Sequence, residues 1–190
     1  MDPTESLATP RNHDIVMIIS HEHGQLLERL DLWLEAPLGP SDFWSSAQEL
    51  AKHEFAEELS LYPALKACGE SGAEAAAIGL RQQEVTERLL LDLEKEVDAD
   101  GYFGPSLTKL VDAVRNHARY EETHLLPLLA DALDDDQRMV WGDRYTQAKK
   151  GAPTRPHPGA PVGVAGRQIL GPMAAVADRV RDLMKGRGDR

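Results

Sequence analysis

Two strings in this 190-residue chain carry residue types that could do chemistry. HEFAEELSLYP starts at His53 and HARYEETHLLP at His117; both read His, three residues, Glu-Glu, four residues, Pro. His53, Glu57, Glu58 and Pro63 therefore correspond to His117, Glu121, Glu122 and Pro127. On a helix, residues four apart share a face one turn apart, so each string sets an imidazole beside a carboxylate. Imidazole nitrogen with carboxylate oxygen, and no thiolate, suits iron, manganese or zinc rather than a cysteine-rich zinc site or a calcium cage. One such helix can give a terminal imidazole to one ion and a carboxylate that bridges two. A bridged pair leaves positions for dioxygen or a peroxide.

The elements that must position these groups are helices. Capping and breaking residues mark four long segments. The first runs from an Asn12 cap to Glu35, and the second from Ser41 through Pro63 to Cys68. The third opens with Ser71 and Glu74 at capping-box spacing and lasts to Val97. The fourth runs from Pro105 to Leu133 with Pro127 late in it, after a loop over 98–104. Asp134 and Gln137 start a shorter fifth helix reaching Lys150; a Pro- and Gly-rich connector over 151–166 and a last helix over 167–184 follow. No segment alternates as a strand does. Helices of ~25 residues, each about 37 Å long, pack most simply as an antiparallel up-down four-helix bundle. The domain reading is a tail over 1–10, the bundle over 11–134 and a C-terminal extension over 135–190 that packs on its outside.

The apolar stripes of these helices are interrupted by groups that do not belong in a core. Val16, Ile19, Leu26, Leu30 and Trp33 share their face with His23, and Phe43, Ala47, Leu50, Leu61 and Ala64 share theirs with His53 and Glu57. Leu80, Leu90, Leu93 and Val97 line up with Gln83 and Glu87; Leu107, Leu110, Val114 and Leu128 line up with His117, Glu121 and His124. A buried unpaired carboxylate costs several kcal/mol even after relaxation. No Lys or Arg lies on these stripes at the same depth, so the compensating cation is read as a metal. Leu26, Leu50 and Val114 are the expected walls of its pocket, and His124 and Tyr120 the expected proton donors. Glu58 and Glu122 are read either as supporting contacts or as solvated side chains.

Composition narrows the class. A net charge of −11 leaves no cationic surface for a nucleic-acid backbone. One cysteine excludes an intramolecular disulfide framework. The start of the chain is polar and acidic, and Ile15–Ile19 is far shorter than the roughly 20 residues a membrane span needs. The expectation is a soluble, cytoplasmic, helix-rich protein with no membrane or nucleic-acid partner.

The pattern of a His in the first helix, His-x-x-x-Glu in the second and His-x-x-x-Glu in the fourth resembles the hemerythrin-like family, the HHE cation-binding domains. The resemblance covers roughly residues 12–134; DIVMIISHEHGQLLERL and the PTRPHPGAP connector look like its bacterial branch. It implies a bundle holding a non-haem di-iron pair, oxo- or hydroxo-bridged, with manganese or zinc as other occupants. Dioxygen, nitric oxide or peroxide would be its small ligands, for binding, sensing, iron handling or peroxide-consuming, catalase-like turnover. His23, His53, Glu57, His117 and Glu121 fall on the family's ligand positions, and Glu54 where some members use a further carboxylate. The third helix departs from the pattern: Gln83 stands where the family has a His, with Glu87 or His124 able to substitute. The alternative reading is accordingly a metal-storage or structural bundle with a mononuclear or depleted site.

Overall fold

The computed structural model describes residues 13–35, 40–96 and 104–152. The Asn12 cap, the tail before it, the loop after Glu96 and the expected helix over 167–184 lie outside them. Among the described residues every regular element is helical: α1 (Ile15–Glu35), α2 (Pro40–Leu59), α3 (Leu61–Ala67), α4 (Glu70–Glu96), α5 (Gly104–Tyr120), a π-turn (Glu121–Leu125), α6 (Leu126–Ala132) and α7 (Asp135–Lys150). The helical-bundle expectation holds. Its four columns are α1, α2 with α3, α4, and α5 with the π-turn and α6; consecutive columns touch, and α5 closes back on α1.

Both repeated strings interrupt the α-helix of their column, because a proline has no N–H and its ring collides with the carbonyl four residues back. Ahead of Pro63 the chain leaves the helix for one residue, Ser60, whose N–H reaches Glu57 O at 3.2 Å and whose hydroxyl donates to Ala56 O at 2.5 Å. Ahead of Pro127 the relief is the π-turn, closed by the Leu126 N–H on Glu121 O. A π-turn carries an extra residue, so the helix beyond it is rotated by about 100° from an unbroken one. Leu125 and Leu129 are fully buried as a result, where a regular stripe places His124 and Leu128.

Other departures are smaller. Ile15, not Val16, is fully buried at the start of α1. On α4 the inward line runs Ala76, Gln83, Thr86, Leu90, Leu93, so Thr86 and not Glu87 faces the core. α4 begins at Glu70, directly after Gly69 at φ 102°, which places Ser71 inside the first turn instead of at its cap.

Among the described residues the core holds two large apolar clusters, with Phe55 and Ala152 as a small separate pair. Leu26, Leu30, Leu50, Leu90, Leu110 and Val114 belong to one, and Ile15, Ile19, Leu61, Leu65, Leu125 and Leu129 to the other. His23 falls between Ile19 and Leu26, His53 between Leu50 and Ala56, and His117 with Glu121 between Val114 and Leu125. A polar layer thus divides the core at one level. Each fully buried Leu or Ile contributes about 1.5–3 kcal/mol, which is how the fold sustains a layer that is costly by itself.

α7 starts with the capping box read from the sequence: Asp134 accepts from the Gln137 N–H at 2.8 Å and Gln137 accepts from the Asp134 N–H at 3.0 Å. It packs on α1 and α2 and shares the second apolar cluster through a fully buried Tyr145. Arg138 Nε donates to Asp14 Oδ2 at 2.8 Å, and Gly142 lies so close to the residues leading into α1 that a Cβ there would come within 1.5 Å of His13 O. No described helix is long and apolar enough to cross a membrane.

Gly142→Ala should lower Tm by the equivalent of about 1–3 kcal/mol, the usual cost of forcing atoms into a packed contact. Gly24→Ala, with nothing within 4 Å of its Cβ, should instead stabilise by up to about 1 kcal/mol through helix propensity. Thermal denaturation checks both, and equal effects would contradict the packing described for α7.

Candidate metal centre

Six of the sequence-identified groups meet in the polar layer. His23 comes from α1, His53, Glu54 and Glu57 from α2, His117 from α5, and Glu121 opens the π-turn; each is at most 2 % exposed. Gln83 joins them from α4. His23, His53, Glu57 and Glu121 each offer a donor atom, and these atoms all lie within 4.8 Å of one another.

The two carboxylates each face two ways. Glu57 Oε1 lies 2.9 Å from His53 Nε2 and 3.7 Å from His23 Nε2, while its Oε2 lies 3.9 Å from His117 Nε2. Glu121 Oε2 lies 3.3 Å from His23 Nε2, while its Oε1 lies 3.5 Å from His117 Nε2. One pole therefore holds His23 and His53 with one oxygen of each carboxylate; the opposite pole holds His117 with the other two. Gln83 Nε2 donates to Glu57 Oε2 at 2.8 Å and the Tyr62 hydroxyl to Glu121 Oε1 at 2.8 Å, both at the second pole.

A cation fits this layer on the chemistry of its donors. Nε2 of His23 and of His117, Oε1 of Glu57, Oε2 of Glu121, Oε1 of Gln83 and both oxygens of Glu54 are buried and make no hydrogen bond. Buried polar atoms almost always find partners, so seven orphans in one layer call for a shared electrophile.

The imidazoles are held from behind. His23 Nδ1 lies 3.2 Å from Glu122 Oε1, His117 Nδ1 3.2 Å from Gln82 Oε1, and His53 Nδ1 2.6 Å from the Tyr145 hydroxyl and 3.0 Å from Glu22 Oε2. An acceptor at Nδ1 keeps the proton there and leaves the Nε2 lone pair for a metal. Glu122 thus makes a supporting contact. Glu22, Gln82, Tyr62 and Tyr145 were not identified from sequence. Glu22 and Gln82 adjoin residues that were, and Tyr62 lies inside the repeated string; only α7 docking places Tyr145.

Electrostatics agree. Burial pulls the His23 imidazole down, but the Glu121 and Glu57 carboxylates beside it outweigh that and push its pKa up to about 10. His53 is raised too: burial lowers it, and Glu57 and Glu22 more than restore it. Burial raises Glu57, yet His53, His117 and His23 hold it well below the usual carboxylate range. Burial, with the charges of Glu57, Glu58, Glu121 and Glu87, drives Glu54 well above that range.

Three expected groups lie elsewhere. Glu87 is half-buried, a turn from Gln83, and reaches the layer through its charge on Glu54. His124 is exposed, 2.7 Å from Thr123 Oγ1, with its ring stacked on Tyr120 at 4.9 Å. The Tyr120 hydroxyl donates to Ala75 O at 3.4 Å. The π-turn is the cause, since it rotates His124 away from the line of Glu121. The hydroxyls that touch the layer belong to Tyr62 and Tyr145. Leu26, Leu50 and Val114 do border a cavity beside His23, His53 and His117, together with Leu27 and Ala118.

A helical bundle with a buried layer of imidazoles and carboxylates defines a class of cation-binding protein. Residues 14–129 match the hemerythrin HHE cation-binding domain. Over 138 residues, 72 % of this chain and 68 % of the relative, the sequence is 30 % identical to an uncharacterized hemerythrin-like protein of Schizosaccharomyces pombe. No solved structure matches the chain. The chain belongs to the hemerythrin HHE cation-binding family, for which metal-ion binding is the implied property.

The raised imidazoles set a pH dependence with two opposite signs. In metal-free protein the His23 proton stabilises the fold fully below its unfolded value near 6.5 and ceases to do so as pH rises through about 10. Tm of metal-free protein should fall across that window. A metal must displace the same proton, so affinity for added ferrous iron should keep rising there instead of levelling off just above about 6.5. Differential scanning calorimetry with chelator and iron titrations at several pH values check this; a flat metal-free Tm contradicts it.

Proposed function

We propose that this protein is a non-haem iron protein whose polar layer holds a pair of ions and whose small ligand is dioxygen, nitric oxide or peroxide. The observation that carries this reading is the two-faced placement of Glu57 and Glu121, each with one oxygen toward each pole. His23 and His53 would hold one ion and His117 the other, with both carboxylates between them. Glu54 would supply the second ion with the donor that Gln83 withholds, because both its oxygens are buried without partners. Manganese or zinc would suit the same atoms.

When bound, iron or manganese would supply electrons and open coordination positions for the small ligand, whereas zinc would supply only the open positions. The chain's own residues set the conditions. Leu26, Leu50 and Val114 line the approach with apolar surface and limit water. Tyr62, raised well above its usual range by burial and the neighbouring Glu121 and Glu57 carboxylates, keeps a proton inside the layer. Its hydroxyl delivers its hydrogen bond at Glu121 Oε1. A peroxide-consuming reaction would draw on this hydroxyl, in place of His124 and Tyr120. The affinity with the bacterial branch and a cytoplasmic setting are parts of this proposal that rest on sequence alone.

One observation favours a second reading. Gln83 Nε2 already donates to Glu57 Oε2, one of the oxygens the second pole needs, so a site with a single ion is the alternative. Anaerobic titration with ferrous iron separates the two. The pair predicts two ions per chain, one after Glu54→Gln or His117→Ala, and none tightly held after His53→Ala or Glu57→Ala. Dioxygen or peroxide should then raise near-ultraviolet and visible absorption. One ion per chain, unchanged by Glu54→Gln, selects the alternative; no bound iron, manganese or zinc overturns both.

A further inference from the structure

α7 stands outside the four columns, yet it reaches the back of one imidazole. Tyr145 is fully buried, its hydroxyl 2.6 Å from His53 Nδ1 and donating to Glu22 Oε2 at 2.7 Å. The same Glu22 oxygen lies 3.0 Å from His53 Nδ1 and accepts from Lys149 Nζ at 2.6 Å, one turn further along α7. The His53 Nδ1–H is shared by the Tyr145 oxygen and Glu22 Oε2, and that carboxylate oxygen also accepts hydrogen bonds from the Tyr145 hydroxyl and the Lys149 ammonium. His23 and His117 are backed differently, by a partly exposed carboxylate, Glu122, and by the amide of Gln82. Among the three imidazoles, His53 is the one whose anionic partner is itself clamped by donors from another helix.

We propose that α7 is part of the metal centre, with Tyr145 and Glu22 as positioning residues that lock the His53 ring so that Nε2 faces the ion. The inference rests on the metal reading above and extends it to a helix beyond the matched domain. A carboxylate on Nδ1–H fixes ring orientation and makes Nε2 a better donor. Arg138 and the close approach of Gly142 to His13 hold the first half of α7 on the start of α1, so the hydroxyl arrives on a docked helix. Linkage makes the coupling mutual: if docked α7 tightens metal binding, bound metal tightens the docking of α7 by the same factor.

The test uses the full chain and cobalt(II), whose visible bands report ligand geometry. Tyr145→Phe and Glu22→Ala should weaken cobalt binding about 10- to 100-fold, the usual cost of losing such a partner, and shift the bands with helical circular dichroism unchanged. Glu22→Gln, which keeps an acceptor oxygen, should recover part of the affinity. Tyr120→Phe should match wild type. Cobalt should slow amide exchange in α7 in wild type and much less in Tyr145→Phe. Should Tyr145→Phe fail to fold, the two Glu22 variants decide on the same readouts. Wild-type affinity, bands and metal-dependent exchange in Tyr145→Phe and Glu22→Ala overturn this inference alone. A wild-type chain that binds no cobalt overturns the metal reading and this inference with it.

Discussion

Carboxylates inside a bundle core need positive charge beside them, and the rest of this structure is arranged around that need. Glu57 and Glu121 are fully buried and face three imidazoles whose own exposure is 2 %. Stripping water from a carboxylate costs several kcal/mol, and geometry alone does not return it. Protons on His23 and His53 can balance these charges in metal-free protein, as the raised imidazole values indicate. A metal ion would do so with more charge, and buried donor atoms without hydrogen-bond partners are there to receive one.

The fold follows from where that layer sits. Two apolar clusters lie on either side of it, so each helix that contributes a donor is anchored both above and below. The prolines that follow each His-x-x-x-Glu interrupt their columns just past the donors, once through Ser60 and once through the π-turn. The interruptions differ although the strings match, and this has a consequence for chemistry. The π-turn starts on Glu121 and spends its extra residue there, which turns Leu125 inward and His124 out. Near symmetry in sequence becomes a layer whose halves are not equivalent, with Gln83 where a third-helix imidazole is expected.

Much of this was legible because the signal is a contradiction of helical periodicity. His23, His53, Glu57, His117 and Glu121 were recognisable as polar groups on apolar stripes, and the structure brings all five into one layer. The bundle was legible for the same reason, since caps and breakers divide the stripes. Periodicity failed where the helix itself is not regular. His124 and Leu128 keep α-helical spacing from Glu121, and only the π-turn removes them from the core. Glu87 and Thr86 are neighbours on α4, and a shift of one position decides which is buried. Tyr145 is of another kind: it reaches His53 across 92 residues of chain through helix docking, which no local spacing encodes.

The direct test is the anomalous-scattering map of crystals of the iron-loaded protein, collected on either side of the iron absorption edge. The expected map has a peak between the Nε2 atoms of His23 and His53 and the near oxygens of Glu57 and Glu121, with a second peak on the His117 side of the same carboxylates. Peaks at surface carboxylates only, or iron-soaked crystals with no peak in the layer and with His23 paired to Glu121 and His53 to Glu57 by direct hydrogen bonds, would contradict it.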